Sequence, residues 1–305
     1  MNKLLQLSIF SILLLVPAGA QNVLAGNGCV PPPSGMISWW PGDDNANDIV
    51  DANNGVLENG AFFAAGKVGS GFGFDGIDDM VRVPHNANQN PGAEMTVDAW
   101  INPDVISHGQ SIINKRTSSN LGDGGFTFET THSPFGPNNG LQFGIGTDVS
   151  GVVVLITGAN VITTDVFQHV AATYDGSMMR IYVDGVEVAS TAASGNIKPI
   201  TPDLVIGRNS VIPSFDFDGI IDEVEFFNRA LSTPEIQAIF NADSAGKCKI
   251  PEPPEPEPQV VGGEIIPIET TALLLAGAQT SAIWMAPLLA GTVVAATIYI
   301  KKKRN

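Results

Sequence analysis

Cysteine, histidine and basic side chains are all scarce. Two cysteines in 305 residues cannot complete a four-thiolate zinc site, and four scattered histidines (His85, His108, His132, His169) offer no HExxH pair. Only 15 Lys and Arg oppose 31 Asp and Glu, a net charge of −16, so the surface repels phosphate backbones and nucleic acid is excluded as a partner. No GxSxG nucleophile elbow occurs. The run from Gly71 to Gly76 fits GxGxxG in letters, but the strand-like IDDMVRVP follows it where a phosphate-binding helix is required, so nucleotide is excluded too. A strong helical period is missing from Met36 to Asn228, which excludes a helical bundle.

The two ends of the chain carry long apolar runs. Lys3 precedes the run Leu4 to Val16, and Pro17, Ala18, Gly19 and Ala20 follow it. This order predicts a signal peptide over 1–20, cleaved after Ala20, with Ala25 as the second choice. The 13-residue run would extend about 20 Å as a helix, short of a hydrocarbon core of roughly 30 Å, which argues against an uncleaved anchor. Residues 271–300 are uncharged and lead straight into Lys301, Lys302, Lys303 and Arg304. That predicts a transmembrane or sorting helix, a cytoplasmic basic tail over 301–305, and a single-pass protein at the cell surface with its domain outside.

Residues 249–270, with their IPEPPEPEPQ stretch, predict an extended Pro/Glu-rich linker. The exposed part, 21–270, has 10 basic against 31 acidic side chains, a net of −21 that suits metal cations. Cys29 and Cys248 bracket the domain, 29–248. Outside the cytosol they are expected to form a disulfide, the alternative being two buried thiols.

Short alternating runs separated by Gly, Asn and Asp predict antiparallel strands: MISWW (36–40), FGFDG (72–76), MVRVP (80–84), MTVDAWI (95–101), FTFET (126–130), LQFGIG (141–146), VVVLIT (152–157) and HVAATYD (169–175). Turns at Asp175-Gly176 and Asp184-Gly185 predict a three-stranded meander over 169–190. The fold class is therefore all-β, an antiparallel β-sandwich in one domain. One short C-terminal helix is predicted, with Ser232 and Glu235 as a capping box and Ile236 and Phe240 on its apolar face.

Two longer stretches carry a family likeness. SWWPGDDNANDIVDANNGVLENGAFFAAGKVGSGFGFDGIDDMVRVP and FDGIIDEVEFFNRALSTPEIQAIFNAD resemble the opening and closing signatures of LamG-like jelly-roll domains, in the concanavalin A-like lectin/glucanase superfamily. HVAATYDGSMMRIYVDGVEVAS fits between them. The resemblance implies a jelly roll, and it spans sugar binders, adhesion modules and glycosidases alike. The tail from VGGEIIPIETT onward resembles surface proteins of ammonia-oxidising archaea, which implies anchoring or sorting at the cell envelope.

Within the closing strand, Ile220, Asp222, Val224 and Phe226 share one face, and burying that face costs fewer carboxylates than burying Ile221, Glu223, Glu225 and Phe227. Asp222 is thus expected near the core, hydrogen-bonded or metal-bound. The loop with Asp43, Asp44, Asn45, Asn47, Asp48 and Asp51 concentrates hard oxygen ligands, and a structural Ca²⁺ bridging it to Asp222 is expected; the alternative is that these groups cap turns. The resemblance favours Asp43 and Asp48 over Asp44 and Asp51. An EF-hand is excluded, because Asp48 stands where Gly is required and Asn54 where Glu is.

A glucanase strand would read ExDxxE, whereas Ile220 and Ile221 stand where its first acid is needed, so no catalytic residue is assigned. One of Trp39 and Trp40 should face out and could meet a sugar, as could Phe135 and Phe215, but no convergent ligand-binding set is legible. The sequence reads as a cell-surface binding or adhesion module for glycan or another envelope component. Its alternatives are a purely structural envelope protein and a glycoside hydrolase of the same superfamily.

Overall fold

The computed structural model describes residues 28–134, 136–212 and 214–249, with 260–261 and 264–265. The signal peptide, the apolar stretch 271–300, the basic tail and most of the linker lie outside the described residues. Among those that are described, no helix is long and apolar enough to cross a membrane. The chain divides after Ile250, and in the second unit Val260–Val261 pairs antiparallel with Glu264–Ile265.

The first unit is a sandwich of two antiparallel sheets, as the alternation predicts. One sheet orders β13 (Val186–Ala192), β12 (Met178–Val183), β11 (Gln168–Tyr174), β6 (Met95–Pro103), β15 (Asp218–Phe227), β4 (Ser70–Asp75) and β3 (Phe62–Ala65). Its eighth strand, β1 (Met36–Trp40), pairs with the end of β15. The other sheet orders β10 (Val152–Ile156), β9 (Gly140–Gly146), β8 (Phe126–Thr131), β7 (Ser111–Lys115), β14 (Leu204–Ile206), β5 (Met80–Val83) and β2 (Val56–Glu58).

Inward side chains of both sheets form one core, including Trp40, Phe72, Val97, Phe128, Phe143, Ile206 and Phe226. Each large apolar side chain removed from water here contributes roughly 1.5–3 kcal/mol. Phe126 of β8 and Phe226 of β15 stack at 5.6 Å and tie the sheets together. The main core and the disulfide that closes it both lie within 28–249, so this stretch is expected to fold on its own.

The helix α1 spans Thr233–Asn241, and Glu235 accepts from the Ser232 N–H at 2.8 Å, as the capping box predicts. Ile236 and Ile239 are its fully buried face, packed on Ala171, Tyr182, Phe227 and Leu231 on the outside of the eight-stranded sheet. Cys29 and Cys248 are bonded, with Cα atoms 5.0 Å apart. The strand-like bridge of Val30 to Lys247 and the Cys248 N–H donating to Val30 O at 2.8 Å hold the two ends side by side.

The strand parity needs correction. Val224 and Phe226 do face the core, but so does Ile221, and Asp222, although fully buried, lies on the opposite, outer face. The cause is a β-bulge: Asp222 pairs with Trp100 and Glu225 with Asp98, so β15 has one residue more than β6 across this stretch. Glu223 sits at φ +52°, a conformation that costs a non-glycine residue energy, and its side-chain partners hold it there.

Candidate functional site

The outer face of the eight-stranded sheet concentrates buried charge. Lys247, 3 % exposed, pairs with Glu225 and lies 3.6 Å from Glu223, while Lys249 reaches Glu223 at 2.7 Å and Asp43 at 2.6 Å. Trp39 is the outward member of its pair, as expected, but it is covered. Its Nε1 donates to Glu223 at 3.0 Å and the Lys247 ammonium lies 5.0 Å from its ring centroid. It is therefore no platform for a sugar.

Burial, and then Asp98, push the Glu225 carboxyl well above its ordinary range against the pull of Lys247. Burial alone would lower the Lys247 ammonium, yet Glu225, Glu223 and Asp98 hold it above its usual value. Asp98 also meets His169 Nε2 at 3.0 Å, and Trp100 packs between His169 and Phe240. The arrangement locks the C-terminal strap onto the sheet. Beside it, a cavity of about 240 Å³ is lined by Pro32, Pro33, Met36, Trp39, Ile49 and Val50.

The three acids expected to share a cation are engaged separately. Asp43 Oδ1 accepts the Ser70 N–H at 3.1 Å, and Asp222 Oδ2 accepts the Val68 N–H at 2.9 Å, so both grip the β3–β4 turn through its backbone. Glycines 66, 69 and 71 let that turn come so close: a Cβ on Gly66 would lie 2.5 Å from Asp222 Oδ2 and one on Gly69 2.3 Å from Asp43 Oδ1. Asp48 accepts the Trp39 and Val50 N–H groups at 2.9 and 3.0 Å, tying its loop back to β1. The structure brings Asp43 and Asp222 to one turn and leaves Asp48 apart.

A candidate site lies on the outer face of the seven-stranded sheet. A cavity of about 380 Å³ has Val205 of β14 and Met80 and Arg82 of β5 in its lining, walled by Asp203 and the 208–211 loop. Alternation alone puts these side chains there, because Val81, Val83, Leu204 and Ile206 face the core. Arg82 Nε donates to Glu58 at 2.6 Å and its Nη1 to Asp203 at 3.2 Å, which fixes the guanidinium across β2, β5 and the loop before β14. Arg208 Nε pairs with Asp216 at 3.1 Å.

Asn209 donates to Glu129, which Gln142 and Thr127 also satisfy at 2.6 Å each. From the interior, Lys115 Nζ donates to the Pro202 carbonyl, and burial lowers that ammonium to about 8. The floor is thus pre-organised and mixed in character: two guanidiniums, a carboxylate, an amide, the Ser210 hydroxyl and an apolar base. Such a set can hydrogen-bond a polyhydroxylated ligand and pack its less polar face.

These groove residues were not singled out by the sequence. Arg82 alone left a signal, as the outward charge within the otherwise apolar MVRV. Phe215 is buried against Gly109 and anchors its loop, and Phe135 lies outside the described residues.

Comparison with known proteins places this geometry. The family described as the concanavalin A-like lectin/glucanases superfamily matches residues 75–237, more than half of the chain. No curated protein matches. Among solved structures, domain 4 of AbnA, a GH43 extracellular arabinanase from Geobacillus stearothermophilus, in complex with arabinotriose, is similar at TM-score 0.52 and 17 % identity, over 66 % of this chain and 96 % of that one. The binding domain of Paraclostridial Mosquitocidal Protein 1 is similar at TM-score 0.55 and 15 % identity, over 68 % and 52 %. The botulinum neurotoxin serotype D ligand-binding domain in complex with N-acetylneuraminic acid is similar at 0.51 and 16 %, over 68 % and 50 %. The chain spans about half the length of the two toxin structures.

Proposed function

Because the chain belongs to the concanavalin A-like lectin/glucanases superfamily, we propose that it is a non-catalytic binding module, displayed outside the cell, that takes a glycan or another envelope component on the outer face of its seven-stranded sheet. The carrying observation is the 380 Å³ cavity with Arg82, Asp203, Arg208, Asn209 and Ser210 at its lining. Solved domains of the same fold hold arabinotriose and N-acetylneuraminic acid, which supports a sugar as the ligand class. The one carboxylate in the cavity lining, Asp203, is held by Arg82, and the buried Glu129 behind it by Asn209, Gln142 and Thr127, which argues against an acid–nucleophile pair. The signal peptide over 1–20 and the apolar stretch 271–300 would deliver the domain and hold it at the surface, on the linker as a stalk.

A glycan-array screen of residues 28–249, run against the Arg82→Ala variant, tests the reading. Retained glycans that the variant loses at least tenfold, at unchanged melting temperature, support it. Binding unaltered by the variant places the ligand elsewhere, and no bound glycan rejects the lectin reading. Protease shaving of intact cells tests the location.

One observation favours the structural alternative. Edge strand β10 exposes Val152, Val154 and Ile156 at 44, 45 and 42 %, and it carries no charged residue to guard the edge. Sedimentation that shows self-association, abolished by Val154→Lys, would favour that reading.

A further inference from the structure

Among the described residues, one acidic group forms no ion pair. Asp75 ends β4, Asp79 precedes β5, and the turn between them reads Asp75-Gly76-Ile77-Asp78-Asp79. One carboxylate oxygen from each of Asp75, Asp78 and Asp79 lies within 4.8 Å of the other two, a grouping that no other three acids, histidines or cysteines share among the described residues. The turn itself uses only part of their capacity: Asp75 Oδ1 accepts the Ile77 N–H at 2.9 Å, and Asp79 Oδ2 accepts the Asp75 N–H at 3.0 Å. Two nearby donors, Asn59 Nδ2 and Arg208 Nη1, both go to the Asp78 backbone carbonyl at 2.8 Å. Among the described residues, no Lys or Arg nitrogen lies within the 4.0 Å of an ion pair from these three carboxylates. Asp218, directly across the ladder from Asp75, adds a fourth like charge.

A second observation is independent of that crowding. Asp79 is 2 % exposed, and its Oδ1 has no hydrogen-bond partner. A buried carboxylate oxygen without a partner is expensive unless something positive meets it. Gly60, at φ +126°, stands beside it, and a Cβ there would come within 2.8 Å of that oxygen.

We propose that the 75–79 turn is a calcium site, with Asp75, Asp78 and Asp79 as its carboxylate ligands. Calcium holds oxygens at 2.3–2.6 Å, so two ligands of one ion stand at most about 5 Å apart, which the trio satisfies. Exposed Asp75 and half-buried Asp78 leave a side open for the waters that complete six to eight ligands, a demand that magnesium's strict octahedron at 2.0–2.1 Å meets less easily with three carboxylates. The bound ion would neutralise the cluster and fix the turn whose Asp78 carbonyl holds Arg208 at the cavity wall. The proposal stands apart from the glycan reading, because a cation can bind here whatever the cavity holds.

Calorimetric titration of calcium chloride into chelator-stripped residues 28–249 should give one site per chain, with a Kd of about 10⁻⁴ to 10⁻³ M as in extracellular modules. Asp79→Asn and Asp78→Asn should each weaken it at least tenfold, whereas Asp43→Asn and Asp222→Asn should leave it unchanged. Asp78 is only half-buried, so its variant keeps the test alive should Asp79→Asn fail to fold. No saturable heat up to about 10 mM calcium, well above that Kd range, overturns the proposal. So does a site that survives Asp78→Asn but is lost in Asp43→Asn or Asp222→Asn.

Discussion

Replacing Asp222 with asparagine should stabilise this protein at neutral pH and leave it unchanged in mild acid. The carboxyl is fully buried beneath the β3–β4 turn, accepts the Val68 N–H at 2.9 Å through Oδ2, and has no partner at Oδ1. Burial pushes it up from 3.8 to about 7, with the neighbouring Glu223 charge adding to the effect and the Val68 N–H opposing it. Between about pH 4 and pH 7 the folded protein therefore holds a proton that the unfolded chain has released. Stability falls as pH rises through that window and levels off above it.

The full cost is about 4 kcal/mol, from 1.36 kcal/mol for each tenfold change in proton affinity. Asparagine keeps an oxygen for the Val68 N–H and cannot ionise. Urea unfolding of wild type and Asp222→Asn, followed by tryptophan fluorescence from pH 4 to 8 in chelator, should show curves that meet near pH 4 and separate by about 2–4 kcal/mol at pH 8. Parallel curves would refute the reasoning. A variant weaker at pH 8 would show that the carboxylate is ionised and held by positive charge, and recovery of the difference in calcium would identify that charge as a cation bridging Asp222 to the first loop.

Other expectations follow from the same contacts. Reducing the Cys29–Cys248 bond, which closes 219 residues, should lower stability by about 5 kcal/mol in the chain-entropy treatment, seen as a large drop in calorimetric melting temperature. Lys247→Met should cost about 3–5 kcal/mol in urea unfolding by leaving Glu225 buried without its ammonium, while Glu223 keeps Lys249, and a second change of Glu225→Gln should recover part of it. The Arg229 guanidinium, bonded at 2.6 Å, holds the Glu235 carboxyl down at about 2 despite partial burial. Its contribution is present above about pH 4.5 and is lost as pH falls toward 2, so Glu235→Gln should flatten that acid limb of the stability curve.

The strands were legible because a half-buried strand writes its facing into every second residue. MISWW and MVRV map onto β1 and β5 almost residue for residue, and the capped helix begins where Ser232 and Glu235 place it. Parity failed at Asp222 because one inserted residue inverts every facing before it. Glu223 gives no warning, since a left-handed backbone usually announces itself as glycine. Alternation says that one of Trp39 and Trp40 faces out but not which; it is Trp39, and Lys247 and Lys249, flanking Cys248 more than 200 residues later, return to cover it.

By itself, then, the chain's alternation, its turn residues and its two cysteines determined a two-sheet domain clasped at its ends, since those signals act over a few residues or through one covalent bond. Which acids meet was decided only by tertiary structure. Asp43 and Asp222 converge on one turn, Asp75, Asp78 and Asp79 crowd another, and Arg82 reaches across to Asp203 to shape the cavity. Such meetings depend on strand order, sheet register and a single bulge, none of which local sequence encodes.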